Sequence, residues 1–331
     1  MDKICLAVLL SSSLLLGSPY IAANEQEEPW FSLTLDNDIF VGSDGGYTNG
    51  IYASWFDVFE ESERLSSPMP WYFWMQQKSM DTKQFNTLVE IHNVGQTMVT
   101  PSDISAVPPP QDDLPYAGFL FWQGSLIAIR PDYSDISTLM LGVVGPISGA
   151  ELTQRLVHEI TGSETPQGWD YQLKNEPIVN LSRARFWRLL HSDSHSMELD
   201  MVGGLEGALG NFDSHVEVSG FLRWGQQLES SYPTVALVGN REANPMAHSG
   251  GYFVYVGAGV GYVFNNLFID GNYLRDSPGI ELEHERNFLA VGAAFSGEEW
   301  GISINYVDFG SFSSDSGGQQ RFGSFSFLWR L

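Results

Sequence analysis

Cysteine is almost absent from this sequence, since Cys5 is the only one among 331 residues. Cys5 lies within residues 1–23, which read as a secretory signal peptide with a positively charged start, a short apolar run and a small-residue exit. We therefore expect the mature protein to comprise residues 24–331 without any cysteine. This excludes disulfides and cysteine nucleophiles.

Long apolar runs are also missing after the predicted signal peptide, because no stretch approaches the roughly 18 apolar residues of a spanning helix. Hydrophobic residues nevertheless make up 43% of the chain, aromatic residues 13%, and there are 34 glycines. This composition is typical of many strands joined by tight turns. It fits a membrane barrel or a soluble, secreted all-β domain.

Positive charge is scarce as well, with 16 Lys and Arg against 40 Asp and Glu and a net charge of −24. Such a chain would be repelled by nucleic acid, so we expect no nucleic-acid partner. Acidic loops could bind divalent cations at an anionic lipid surface, or could simply be solvated.

Segments in which apolar and polar residues alternate are abundant after the predicted signal peptide. Apolar and polar positions alternate in 197–210, in 252–264 and at the C-terminus, where Phe325, Phe327, Trp329 and Leu331 share one face. Lipid outside and a polar lumen inside would produce this pattern, as would a soluble sandwich. A final aromatic-rich strand resembles the terminal signal of outer-membrane barrels, although Leu331 replaces the usual phenylalanine.

The fold class that we predict is all-β, a twelve-stranded antiparallel transmembrane β-barrel. An even strand number leaves no free edge in a bacterial single-chain barrel. Segment 266–273 either extends one strand or forms another. The expected strands lie near 29–40, 48–58, 84–98, 117–130, 136–145, 177–190, 197–210, 213–226, 251–264, 284–295, 299–309 and 321–331.

One long connection, 146–177, contains the only convincing helical pattern, at about 148–161. Ser148 and Glu151 have the spacing of a capping box, and Gly162 suits the position after the last turn. The helix has an apolar arc that we expect to pack against the barrel, formed by Leu152, Leu156, Val157 and Ile160. Gln154 and His158 share the opposite arc. A lone histidine on such a helix is often just solvated.

Two short polar motifs lie near the first predicted strands. Asp36-Asn37-Asp38 could ligate a hard cation through oxygen, or could mark the end of a strand. Tyr47-Thr48-Asn49-Gly50 reads as a turn into the second strand.

Taken in order, these motifs resemble those of the outer-membrane lipid A 3′-O-deacylases, and the matches cover most of the mature chain. They are Asp36 to Phe40, Tyr47 to Gly50, Pro115-Tyr116-Ala117-Gly118, Gly145-Pro146, Gln154 to His158, Gly168-Trp169-Asp170 with Gln172, Asn175-Glu176 and Phe268 to Asn272.

The resemblance implies a twelve-stranded barrel whose site lies between the wall and a helix from an extracellular loop. It implies hydrolysis of lipid A in lipopolysaccharide, within outer-membrane lipid, by a monomer and by a mechanism like that of secreted phospholipase A2. His158 would be the general base, and a Ca²⁺ ion held by Asp38 and Glu164 would polarise the ester. Further site residues would be Asn37, Asp38, Thr48, Gln154 and Glu164.

The sequence departs from the family at one point. Some members use a lysine between the third and fourth strands, whereas 100–115 contains no lysine or arginine. Either Arg130 substitutes, or the lipid A phosphate is bound differently. Two other readings stay open: a non-catalytic barrel (porin or surface protein), and a phospholipase A-type barrel whose serine nucleophile would be Ser43, Ser102 or Ser148.

Overall fold

Twelve antiparallel strands close into one barrel in the computed structural model, as the alternation predicts. The structure describes residues 29–37, 46–60, 69–80, 82, 85–192, 197–236, 251–311 and 319–330. The predicted signal peptide lies outside these ranges. The strands are β1 Trp30–Asn37, β2 Gly46–Glu60, β3 Thr87–Thr100, β4 Ala117–Ile129, β5 Tyr133–Val144, β6 Glu176–Ser192, β7 Glu198–Gly210, β8 Asp213–Gly225, β9 Gly251–Asn266, β10 Glu285–Ser296, β11 Trp300–Ser311 and β12 Gln319–Arg330.

Closure comes from the pairing of β1 with β12, which runs from Trp30 opposite Arg330 to Asn37 opposite Gly323. Every other strand pairs with its neighbours in sequence. In the described ranges, four α-helices accompany the strands: α1 Pro70–Ser79, α2 Ala150–Thr161, α3 Leu228–Ser231 and α4 Leu267–Asp270. None of the helices in the described ranges is long and apolar enough to cross a membrane.

The two ends of the barrel differ in their connections. We call the end where β1 meets β2 the upper rim; its connections include the long segments 101–116, 145–175 and 267–284, whereas the other end combines short connections at 130–132 and 297–299 with the long connections 61–86 and 226–250. The other end, which holds Trp30 and Arg330, is the lower rim. Segment 266–273 neither extends β9 beyond Asn266 nor forms a strand, because α4 begins at Leu267.

The outer face of the barrel carries a belt of exposed apolar side chains, including Leu35, Leu181, Leu205, Leu209, Val256, Val260 and Leu289. Exposed aromatic residues stand at both ends of β9, namely Tyr252 near the lower rim and Tyr262 and Phe264 near the upper rim. An apolar band between aromatic girdles is the outer surface of a membrane barrel.

The interior is packed rather than open. Phe119 stacks on Phe121 and Phe212 with ring centroids 5.0 and 4.7 Å apart, and Phe212 meets Phe268 of α4 at 5.4 Å. The internal cavity that these rings border has a volume of about 160 Å³.

Residues after β8 fill the lower end of the lumen. Arg223 donates to Asp200 from Nε at 2.9 Å, to Ser231 Oγ at 3.0 Å and to the carbonyl of Leu228 at 2.6 Å. The fully buried Tyr232 donates from its hydroxyl to the carbonyl of Arg130 at 2.9 Å. These bonds fix 228–236 inside the lower rim.

Helix α1 lies on the outside of the barrel, so the expectation of a single helix was wrong. Its Tyr72 ring is 5.6 Å from the ring of Trp122, and its Gln76 donates to the carbonyl of Ser137 at 3.0 Å. Trp122 and Ser137 alternate with Gln123 and Thr138, which line the internal cavity, so they face outward. Beneath α1 the outward-facing pair His92 and Glu90, 3.1 Å apart, is fully buried.

Candidate functional site

Helix α2 begins later than the sequence suggests, and its predicted capping box does not form. A 3₁₀ turn over Pro146–Ser148 precedes the helix, and Gly149 occupies the N-cap in the left-handed region, at φ 73°, with no side-chain cap. Glu151 instead pairs with Arg155 at 2.7 Å, one turn along the exposed helix surface. At the other end Gly162 adopts φ 75°, and its backbone N–H donates to the carbonyl oxygen of His158, as expected for a glycine after the last turn.

The start of α2 sits on the outer wall at the upper rim, over β3 and β4. A side chain at Gly118 would collide with Ala150 and Ser148, so the close approach requires glycine there. From β3, Gln96 donates to the carbonyl of Ser148 at 2.7 Å. Ala150 also packs in a buried cluster with Met98, Tyr116 and Trp169.

The apolar arc of α2 does not pack against the barrel, contrary to expectation. Leu152, Leu156 and Ile160 are 65%, 50% and 58% exposed, whereas Ala150 and Gln154 are buried. The polar stripe of the helix therefore faces the wall. The apolar stripe faces away from it, because the small Ala150 allows the tight contact with Gly118.

Gln154 is held by the indole of Trp169, which donates from Nε1 to Gln154 Oε1 at 2.8 Å. An indole N–H can only donate, so the amide oxygen must face Trp169 and the amide nitrogen points away. Gln154 is 2% exposed, and its Nε2 has no hydrogen-bond partner among the described residues. The site therefore contains a buried amide donor without an acceptor.

His158 lies one helical turn beyond Gln154 on the same stripe and is half-buried. Its Nδ1 is 2.5 Å from the carbonyl oxygen of Glu164. Since a carbonyl only accepts, Nδ1 carries the proton, and in the neutral ring Nε2 has the free lone pair. The carboxylate of Glu164 is exposed, and it is the backbone of this residue that contacts the imidazole.

The predicted partners on the first two strands are described only in part. Asn37 ends β1 on the face of the exposed Leu33 and Leu35, the outer wall. Asp38 lies outside the described residues. Thr48 falls at a register shift between Tyr47 and Asn49 in β2, and β-bulges of this kind are frequent next to active sites.

The pairing register places these strands beside the helix. Asn37 pairs with Asn49, Asn49 with Met98, and Met98 with Gly118, on which α2 sits. The end of β1 and the start of α2 are thus three strands apart on one rung of the outer wall, about 14 Å at ordinary strand spacing.

Other motif residues brace the upper loops. The buried Glu176 accepts from Asn211 and Asn272 at 3.2 Å each and from the backbone of Leu274 at 2.9 Å. Asn272 also bonds both backbone groups of Lys174 at 2.8 Å. These contacts join the connections 145–175 and 267–284. These structural contacts explain two of the quoted motifs, Asn175-Glu176 and Phe268 to Asn272, and give them no chemical role.

Segment 101–116 packs beside Trp169. The Tyr116 ring is tilted against the Trp169 ring, with centroids 5.1 Å apart, and its hydroxyl donates to the carbonyl of Ile104 at 3.0 Å. Burial raises the pKa of this hydroxyl. Hydrogen bonds from the Ser105 hydroxyl and backbone lower the pKa of the exposed Asp103. Sequence reasoning did not single out Gln96 or the role of Trp169, because both act through contacts across strands.

Arg130 cannot replace the missing lysine at this site. It follows β4 at the lower rim, is buried, and contacts Asp135 at 3.4 Å. Of the three candidate serine nucleophiles, Ser43 lies outside the described residues. Ser102 lies in an exposed loop, where its backbone N–H donates to the Asp113 carboxylate. Ser148 is buried beneath the start of α2.

No group of three or more His, Cys, Asp or Glu side chains in the described ranges is arranged to hold a metal ion. The predicted ligands were Asp38, outside those ranges, and Glu164, whose side chain is exposed. Carboxylate oxygens suit a hard cation such as calcium.

Comparison with known proteins identifies a family and a similar fold. The sequence model of outer membrane protein LpxR matches residues 6–331. LpxR from Salmonella typhimurium has a similar structure, with a TM-score of 0.72 and 15% identity over 91% of this chain and 100% of that chain. The translocator domain of the autotransporter NalP from Neisseria meningitidis reaches a TM-score of 0.43 and 10% identity over 93% of this chain and 90% of that one. No curated protein matches.

Proposed function

Because the chain belongs to the family of outer membrane protein LpxR, we propose that it is a lipid A deacylase that removes a 3′-linked acyl or acyloxyacyl chain. The protein is an outer-membrane β-barrel, and we propose that its upper-rim connections, which include helix α2, are the extracellular loops. The site beside α2 then lies at the level of the outer leaflet, where lipid A resides.

The observation that carries the proposal is that His158 and Gln154 lie on the same stripe of α2, the one that faces the wall. The Glu164 carbonyl leaves His158 Nε2 free as a base, and Trp169 leaves Gln154 Nε2 free as a donor. From Ala150 to His158 the helix advances about 12 Å, comparable to the 14 Å that separates Gly118 from Asn37. The proposal requires that the helix run toward the end of β1, so that the two distances bring His158 and Asn37 together.

In the proposed reaction, His158 Nε2 accepts a proton from water as the water oxygen attacks the ester carbonyl carbon. The tetrahedral intermediate then collapses with cleavage of the ester C–O bond. The same imidazole returns the proton to the departing sugar hydroxyl, which leaves a free fatty acid. General-base catalysis of this kind contributes roughly 100- to 10,000-fold. Gln154 Nε2 would donate to the oxygen that gains charge.

We also propose that Asp38 and Glu164 bind Ca²⁺. A bound divalent ion supplies charge stabilisation for the carbonyl oxygen. Asn37 and Thr48 would line the same end of the wall and orient the lipid. Turnover should therefore stop after exhaustive chelation and return when calcium is added back. Undiminished turnover in chelator would remove the metal from the mechanism.

Mass spectrometry of lipid A from cells that produce each variant tests the activity. The wild-type protein should remove the 3′ chain, and His158→Ala should lower deacylation by at least 100-fold while the barrel still folds. His191→Ala is the matched control, since this exposed histidine lies at the lower end of β6. Full activity in His158→Ala would reject the assignment. Cleavage of glycerophospholipid alone would favour the phospholipase reading.

A further inference from the structure

Helix α2 has two different surfaces that do not face the wall. Residues four apart lie on the same side of a helix, so the residues between Gln154 and His158 belong to separate stripes. The apolar stripe consists of Leu152, Leu156 and Ile160. The charged stripe consists of Glu151, Arg155 and Glu159. Because charged and apolar side chains prefer different surroundings, the two stripes indicate water on one side of the helix and an apolar medium on the other.

The apolar stripe is not covered by the described residues. Its three side chains are at least half exposed, and Ile147, which lies just before the helix, is exposed as well. The charged stripe is different, because Glu151 and Arg155 form an ion pair with each other. Contiguous exposed apolar side chains mark a surface that meets a partner or a membrane.

The apolar belt of the barrel begins directly below the helix. On β4, Leu120 is the next outward-facing residue after Gly118, on which α2 sits, and it is 39% exposed. On β3, Val94 is the next outward-facing residue after Gln96, which donates to the carbonyl of Ser148, and it is 41% exposed. Two residues of a strand span only roughly 7 Å, so the start of α2 adjoins the surface that faces lipid hydrocarbon.

We propose that the apolar stripe of α2 lies among the acyl chains of the membrane leaflet at the upper rim, which makes α2 an interfacial helix held by lipid. The occupant is lipid because the adjoining residues of the belt are covered by acyl chains in a membrane barrel. Helices of this kind bury their apolar face roughly 5–10 Å into the leaflet. The charged stripe then faces headgroups and water. The proposal does not depend on deacylation.

Lipid would hold the part of α2 that lies beyond its tight contact with the wall. Gly118 and Gln96 fix the start of the helix through Ala150 and Ser148. Leu156 and Ile160 lie in the second half of the helix, on either side of His158 in the sequence. Insertion of the apolar stripe into lipid therefore positions the half of the helix that carries His158.

Fluorescent labelling of single cysteines tests the proposal, since Cys5 is the only cysteine in the sequence and Cys5→Ser removes it. In this background, Leu156→Cys places an NBD group on the apolar stripe, and Arg155→Cys places the same group on the charged stripe. The labelled proteins are studied in nanodiscs of dioleoyl phosphatidylcholine that contain a lipid with a nitroxide near the glycerol end of one acyl chain. Val256→Cys, in the belt on β9, is the control for a group in contact with lipid.

The nitroxide lipid should quench the label at Leu156→Cys about threefold more strongly than the label at Arg155→Cys, because only the apolar stripe enters the leaflet. Iodide in the water should quench the two labels in the opposite order. Equal quenching of both labels by the nitroxide lipid would overturn the proposal. A disulfide-linked dimer of unlabelled Leu156→Cys, together with weak lipid quenching, would also overturn it and would show that a second copy covers the stripe.

A second variant tests whether the apolar side chains themselves hold the helix in lipid. Leu152→Asp/Ile160→Asp, with the label kept at Leu156→Cys, should reduce quenching by the nitroxide lipid to the level of the Arg155→Cys label. Both changes are at exposed positions, so the barrel should keep its heat-modifiable mobility on gels. Arg155→Asp is the matched control, because it adds an acid to the charged stripe and should leave quenching at Leu156→Cys unchanged. Undiminished quenching in the double variant would mean that lipid does not hold α2.

Discussion

At the scale of single residues, one indole decides which way the Gln154 amide points. Trp169 is fully buried and donates to Gln154 Oε1, so the amide nitrogen is turned away from the indole; in the proposed reaction this nitrogen donates to the ester oxygen. A phenylalanine cannot donate, and the amide would rotate between two orientations. The net value of such a bond is about 1 kcal/mol.

We therefore expect Trp169→Phe to lower lipid A turnover about fivefold, with the barrel still folded. The rate of release of fatty acid from purified lipid A in detergent measures this. Tyr171→Phe, an exposed change two residues away, should leave the rate unaltered. An unchanged rate in Trp169→Phe would show that Trp169 has no part in orienting Gln154.

Sequence reasoning proposed residues for the site but could not give their contacts. It selected His158, Gln154 and Glu164 from a resemblance, yet the carbonyl of Glu164 rather than its carboxylate touches the imidazole. That bond depends on how the chain turns after Gly162. Likewise Gln96 and Trp169 matter only because β3 and a 3₁₀ turn meet at α2, and no local pattern contains that information.

At the scale of elements, helix α2 depends on a tight contact with β4. The position of the whole helix, and with it that of His158, follows from the absence of a side chain at Gly118. Overpacking of such a contact typically costs 1–3 kcal/mol. Since the contact is on the outer wall, the strain should displace the loop helix rather than the sheet.

Gly118→Ala should consequently reduce deacylation more than tenfold while the barrel keeps its heat-modifiable mobility on gels. Gly220→Ala is a matched control in β8, where a side chain would meet nothing within 4 Å. The two variants should have the same gel mobility and should differ only in deacylation activity. Equal activities would mean that α2 tolerates the added methyl group.

The alternation of apolar residues predicted all twelve strands, because the membrane and the lumen impose opposite polarities on neighbouring residues. Helix α1 escaped notice because its contiguous aromatics, Trp71 to Trp74, show no helical periodicity. For α2 the apolar arc was identified correctly and placed against the wrong surface. Amphipathicity reports that two faces differ, whereas the surroundings decide which face meets the wall.

At the scale of the whole molecule, a barrel can be a pore or a scaffold, and periodicity does not distinguish them. Whether the lumen is open or filled depends on side chains from distant parts of the chain that meet inside the barrel, such as Phe119, Phe212 and Phe268. Their packing is a property of the closed sheet, so the sequence left the porin reading open.

The purified protein should therefore show no steady conductance in planar bilayers. The aromatic residues leave a cavity of about 160 Å³, and Tyr232 and the Arg223–Asp200 pair close the lower end. A hydrated ion needs a continuous water column, and we expect these groups to interrupt it. The same preparation should deacylate lipid A, so that one sample tests both readings. Stable channel steps without any change in lipid A mass would instead establish a pore, in which α2 has no catalytic role.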